Sequence, residues 1–317
     1  MVQLQMTQLD GAVLALATSP AFAVDGICFA ATTAGLYRSH DGGQTWQDAY
    51  HSLDLGNQLP TTCVAISPDF VTDPHIFAGA EGGILRSIDG GHTWSVELFP
   101  QPPPLVISLV VSPNFAVDGV MLAGSMEDGV FRSADRGHRW ERWNFGLLDM
   151  GVLSLLISPD FARDETLIAG VESGIFRSTN GGRAWREAIT PSEMGPVISL
   201  AISPRFAADG TAFAGTEEGQ IYVSRDRGRT WEILADSDFG GPLNALLLSP
   251  DFPEPPRLIA LVGQQLSYSR DGGRTWQVWP QPNALQATVS AIAAPSGLES
   301  DSPLLLGLAS GGVVRLN

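Results

Sequence analysis

The 317-residue chain sets 34 acidic residues against 18 basic ones, and its net charge of −16 argues against electrostatic binding to nucleic acid or anionic membrane surfaces. All 18 basic residues are arginine, so Schiff-base catalysis and a P-loop lysine are excluded. A chain of this size buries about 75% of its unfolded surface, enough for one closed domain.

The first residues, MVQLQMTQLDG, alternate apolar and polar types, which predicts a strand over 2–7. They lack the basic and apolar regions of a signal peptide, so the chain as given is expected in the cytoplasm, or secreted or periplasmic if a leader has been removed. The longest apolar run, near Leu105–Val111, is strand-sized, and no membrane insertion is expected.

From residue 9 onward the chain is a repeat. Six octapeptides recur: SHDGGQTW (39–46), SIDGGHTW (87–94), SADRGHRW (133–140), STNGGRAW (178–185), SRDRGRTW (224–231) and SRDGGRTW (269–276). Their tryptophans Trp46, Trp94, Trp140, Trp185, Trp231 and Trp276 are 48, 46, 45, 46 and 45 residues apart, a period that marks a propeller or solenoid. Each unit contains four strand-like pieces, seen in the second repeat as CVAIS (63–67), HIFAGA (75–80), ILRS (84–87) and TWSVEL (93–98).

Between the first two strands lies a second motif, S-P-x-F-x-x-D, running from Ser19, Ser67, Ser112, Ser158 and Ser203 to Asp25, Asp73, Asp118, Asp164 and Asp209. Proline stops the strand, the phenylalanine plugs inward and the aspartate caps the turn. The octapeptide fills the hairpin between strands three and four, where Asp41, Asp89, Asp135, Asp226 and Asp271 accept bonds from turn amides and Asn180 substitutes in the fourth. Five equivalent aspartates and one asparagine are fastenings, since a catalytic group is needed once.

The last stretch, 287–317, holds only three strands, and the spare N-terminal strand supplies the fourth. The expected fold is all-β: a single seven-bladed β-propeller of four-stranded antiparallel blades, its ring closed by the N-terminal strand completing the C-terminal blade. The expected blades span about 9–53, 54–100, 101–146, 147–191, 192–237, 238–282, and 283–317 with 1–8. Cys28 and Cys63, on different repeats, are expected as buried free thiols.

Both repeated motifs then share the lower face, and the unrepeated second-to-third turns and inter-blade connections share the upper one. The connections carry Tyr50, Phe99, Trp143, Phe145, Met150, Met194, Phe239 and Trp279. The turns place Glu81, Glu127, Glu172 and Glu217 in what reads as one register, with Thr33, Gly263 and Ala309 in the other blades. The ligand-binding candidates are therefore Glu81, Glu127, Glu172, Glu217, Tyr50, Trp143, Phe145 and Trp279: an acidic arc suited to a basic partner, with aromatics suited to a peptide or a sugar.

The octapeptide S-x-D-x-G-x-T-W resembles the Asp-box, or BNR repeat, and the resemblance covers essentially the whole chain. That superfamily includes sialidases, xyloglucan-degrading hydrolases, sortilin-type receptors and photosystem II assembly factors. The resemblance implies the fold strongly and the activity weakly. A sialidase needs three substrate-binding arginines and a tyrosine nucleophile; here only Arg142 and Arg186 lie outside the repeated positions, and Tyr50 is the sole upper-connection tyrosine. Xyloglucan-degrading relatives use two facing propellers, whereas this chain forms one.

The reading is thus a non-catalytic binding or scaffold propeller for a protein partner, with a glycan second. The alternative is a glycoside hydrolase or lyase drawing on Asp54, Asp149, Glu193, Asp236 and Asp238. No cofactor or metal is expected, because the five histidines (His40, His51, His75, His92 and His138) are scattered over turns on both faces.

Overall fold

A computed structural model describes residues 4–54, 56–99, 102–234, 239–279, 287–299 and 302–316. These form seven four-stranded antiparallel sheets, six with their strands in sequence order and the seventh with three C-terminal strands and the N-terminal one. In blade two the strands are Cys63–Ile66, Ile76–Ala80, Gly83–Ser87 and Ser95–Leu98. The first strands of successive blades pack against one another around a closed ring, the first strand of blade one meeting that of blade seven.

Closure follows the expected route. Leu4–Thr7 is the outermost strand of blade seven, pairing Leu4 with Leu316, Gln5 with Arg315, Met6 with Val314 and Thr7 with Val313. The edge of the blade's third strand, Val313–Leu316, is thereby covered.

Second strands are buried along their whole length in all seven blades, and their composition explains how blades fit together. Five carry glycine at the fourth position, where the first strand of the next blade approaches. A Cβ at Gly124 would lie 2.7 Å from Val152 Cγ1, and one at Gly170 would lie 2.6 Å from Val197 Cγ1. Even one methyl group would force those blades apart. Cys28 and Cys63 are buried free thiols, and burial pushes each up to about 12.

The S-P-x-F-x-x-D segments form one helical turn in four repeats: Phe22–Asp25, Phe115–Asp118, Phe161–Asp164 and Phe206–Asp209. In Asp25 one oxygen accepts the Ser19 hydroxyl at 2.6 Å and the other accepts the Ile27 amide at 2.9 Å, and the other three repeats copy this arrangement. The phenylalanines are buried, as is Phe252 of a sixth copy that lacks the aspartate; there Ser249 donates instead to the Pro255 carbonyl. The second repeat also departs, because Asp73 turns to Arg136 at 3.0 Å and His75 at 2.7 Å.

Candidate functional site

On the lower face each Asp-box closes on itself. The Ser39 hydroxyl donates to Asp41 Oδ1 at 2.8 Å and accepts the Gly43 amide at 2.9 Å, while Asp41 also accepts the Gln44 and Thr45 amides and the Thr45 hydroxyl. Partial burial by itself would raise this carboxyl, but the bonds from Thr45, Ser39 and Gln44 outweigh it and hold Asp41 at about 2. Asp89 and Asp271 are held at about 2 in the same way. A carboxylate saturated by its own turn has no proton to donate at neutral pH and few lone pairs left for a ligand.

The box and the turn between the first two strands are joined within each of the six blades by one backbone bond, from Gly42 to Gly26, Gly90 to Pro74, Arg136 to Gly119, Gly181 to Glu165, Arg227 to Gly210 and Gly272 to Pro256, at 2.8–3.1 Å. Both motifs therefore share a face, and the variable turns and connections lie opposite.

Six of the eight connection residues singled out in the sequence are drawn into packing rather than left at the mouth. Tyr50 is buried, its hydroxyl 3.0 Å from Thr61 Oγ1 and its ring edge-on to Trp94. Burial also pushes the Tyr50 phenol up, away from the phenolate a nucleophile would need. Phe99 stacks on Phe131 at 4.5 Å, and Met194 is buried. Phe239 meets Trp276 edge-on at 5.4 Å, and Trp279 meets Tyr268 at 5.6 Å. Trp143 is half-buried between blades, with the Arg132 guanidinium 4.2 Å from its ring centroid and Arg183 of the next box on it as well. For Tyr50, Trp143 and Trp279 the open-mouth expectation is corrected: each ring finds an apolar or cationic neighbour in its own blade or the adjoining one. Phe145 is the exception, at 80% exposure, and Met150 is also exposed.

The glutamates are all exposed, but their register needs one correction. The residue that follows the second strand is Glu81 in blade two, Met126 in blade three, Glu172 in blade four and Glu217 in blade five. Blade three has three residues before its third strand where blades two and four have two, so Glu127 lies one position further along. The consequence is an alternation in which an exposed methionine sits between two glutamates. Backbone bonds from Met126 to Leu105 and from Gly129 to Met150 set Leu105, Met126 and Met150 in succession, and a Cβ on Gly151 would touch both Met126 and Glu172.

The connection from blade three to blade four exposes Phe145 at 80% and Leu148 at 81%, while the Phe145 carbonyl accepts the Trp185 amide at the end of the next Asp-box at 2.8 Å. Asn144 fastens its base by accepting the Val130 amide and donating to the Asp128 carbonyl. Asp149, a hydrolase candidate, is part of the fastening: its two oxygens accept the Gly151 amide at 3.0 Å and the Ser173 amide at 2.9 Å. Arg142 pairs with Asp128 at 2.6 Å. Asp54 and Glu193 are exposed, and Asp236 and Asp238 lie outside the described residues.

A second upper feature is a cavity of about 500 Å3 beside blade one, bordered by Asp10, Tyr37, Asp48, His51 and Asn57. Asp10 lies 3.4 Å from the Tyr37 hydroxyl, and Asp48 caps the Tyr50 amide at 2.8 Å. Among the described residues, no three His, Cys, Asp or Glu side chains converge as a metal site would require. None of the helices described is long and apolar enough to cross a membrane.

The BNR/Asp-box repeat family model matches residues 37–48 and 267–278. No curated protein is similar in sequence at a significant level. Among solved structures, the GH74 xyloglucanase from Xanthomonas campestris is 18% identical with a TM-score of 0.74, over 98% of this chain and 53% of that one. The extracellular domain of a putative one component system from B. thetaiotaomicron is 14% identical with a TM-score of 0.72, over 98% of this chain and 39% of that one. This chain thus spans about two fifths to half the length of those two proteins. YCF48 bound to D1 peptide is 19% identical with a TM-score of 0.72, and there the match covers 98% of this chain and 96% of that one. At these identities the likeness establishes the fold.

Proposed function

We propose that this Asp-box β-propeller is a non-catalytic docking platform that takes a protein partner on its upper face over blades two to five. The observation that carries the reading is the row of exposed Leu105, Met126 and Met150, set in succession by backbone bonds, with exposed Glu81 bridged to Leu105 at one end, Glu172 against Gly151 at the other and Glu127 next to Met126. Contiguous apolar side chains rimmed by charge mark an interaction surface, since a monomer gains nothing by exposing them. Carboxylates of one sign favour a basic partner, and the net charge of −16 extends that preference over longer range. The complementary ligand is a basic segment with apolar anchors, Glu217 extending the acidic rim along its path.

The likeness in length and fold to a propeller whose structure holds a D1 peptide supports a single propeller as a peptide-docking unit. Chemistry has less support, because Asp149 is committed to two backbone amides and Tyr50 is buried. The test is quantitative capture of the partner from extracts of the source organism. Reversal of Glu81, Glu127, Glu172 and Glu217 to arginine should weaken capture by about tenfold or more, because like charge now faces the partner. Capture at wild-type affinity by that variant would reject the acidic rim.

A further inference from the structure

The centre of the third strand is sealed in six of the seven blades, where Leu85, Phe131, Phe176, Tyr222, Ser267 and Val314 are each at most 5% exposed. Tyr37 of blade one holds the same position and is only half-buried. The difference lies in what the incoming connection brings. Tyr50, Phe99 and Phe239 meet the box tryptophan of the next blade edge-on at 5.4, 5.5 and 5.4 Å, and Phe99 also stacks on Phe131. Leu147 and Met194 pack with Trp185 and Trp231 in clusters that include Phe176 and Tyr222. Blade one is entered instead by the short return from the closing strand, residues 8–12. Its one large apolar side chain is Leu9, and Tyr37 and Trp46 pack against that cluster only in part.

The uncovered Tyr37 ring borders the upper cavity of about 500 Å3, together with the partly exposed Leu53 and Leu59. Two carboxylates converge on it. Asp10 lies 3.4 Å from the Tyr37 hydroxyl, and Asp48 is the cross-strand partner of Tyr37, so the two side chains share one face. Burial and the charges of Asp10 and Asp48 push the phenol up. Asp48 spends Oδ1 on the Tyr50 amide at 2.8 Å, and the His51 ring turns to the Asp48 carbonyl at 3.1 Å. Among the described residues neither carboxylate is in an ion pair, and no arginine borders the cavity. Blade three shows what such a place takes. There Arg142 is the cross-strand partner of Phe131, its guanidinium lies 5.5 Å from that ring's centroid, and it pairs with Asp128 at 2.6 Å.

We propose that the blade-one cavity binds a small guanidinium compound, its planar head on the Tyr37 ring between Asp10 and Asp48. Its aliphatic part would rest on Leu53 and Leu59. The volume falls in the range of small-ligand sites, a guanidinium stacks on an aromatic face, and its fork of donors matches carboxylate oxygens. The site lies on blade one and does not depend on protein docking over blades two to five.

The experiment is calorimetric titration of the full chain with butylguanidinium, butylammonium and the neutral isostere butylurea. Saturable binding is expected for butylguanidinium, with butylammonium weaker because it is a point charge without a plane to stack, and with no saturable binding of butylurea. Asp10→Asn with Asp48→Asn should weaken butylguanidinium by about tenfold or more, since two charge-assisted contacts are lost. Asparagine keeps an acceptor for the Tyr50 amide, so the melting temperature should hold. Tyr37→Leu, which installs the side chain of blade two, should weaken binding by about threefold or more. Absence of saturable binding to the wild type, butylurea or butylammonium bound as tightly as butylguanidinium, or wild-type affinity in either folded variant would each overturn the assignment.

Discussion

Trp185→Ala is expected to destabilise the propeller by about 3–5 kcal/mol, the range for deleting a buried aromatic, while Trp46→Ala costs clearly less. The two tryptophans occupy the same octapeptide position and differ in what surrounds them. Trp185 is 2% exposed and packs with Val130, Leu147, Val152 and Phe176 across the junction of blades three and four. Its indole N–H donates to the Trp143 carbonyl of the preceding blade at 2.8 Å. The other five box tryptophans donate to a glycine carbonyl of their own box, and Trp46 is only half-buried. Removing Trp185 therefore leaves a cavity and an orphaned carbonyl between two blades, whereas removing Trp46 loosens one hairpin. Thermal unfolding of the two variants checks this: a fall of roughly 5 °C or more for Trp185→Ala is expected for a chain of this length. Equal losses would refute the distinction.

Deletion of residues 1–8 is the second large effect. It removes the four-residue strand paired with Val313–Leu316, together with the bond from Thr7 to the Gln44 carbonyl. At about 1 kcal/mol for each lost hydrogen bond the cost is about 4 kcal/mol, and the uncovered strand becomes a template for pairing with other chains. Lower thermal stability with concentration-dependent association in size-exclusion chromatography is expected. A truncated chain that melts like the full one and stays monomeric would show that ring closure does not depend on this strand.

The repeats made the architecture legible because their spacing reports on local hairpins, and hairpins are local chemistry. Ser, Asp, Gly and Trp at fixed offsets state how one turn is satisfied, and six copies state how many blades exist. Side-chain destinations across blade junctions were not legible in the same way. Tyr50 and Phe145 both read as loop aromatics, yet one is sealed against Trp94 and the other stands in solvent, since a neighbouring blade covers only the first. The glutamate register failed for a different reason: a one-residue difference in turn length in blade three moves Glu127 and sets Met126 in its place, a shift the sequence carries as the extra residue of GSMEDG (124–129) against GAEGG (79–83).

The upper face as docking surface is the claim on which the functional reading stands, and amide hydrogen exchange of the protein with and without its captured partner tests it most directly. Protection is expected in the segments around Glu81, Met126–Glu127, Phe145–Met150 and Glu172, with the six Asp-box turns unchanged. Protection confined to the box turns, with the upper segments exchanging as in the free protein, would contradict it.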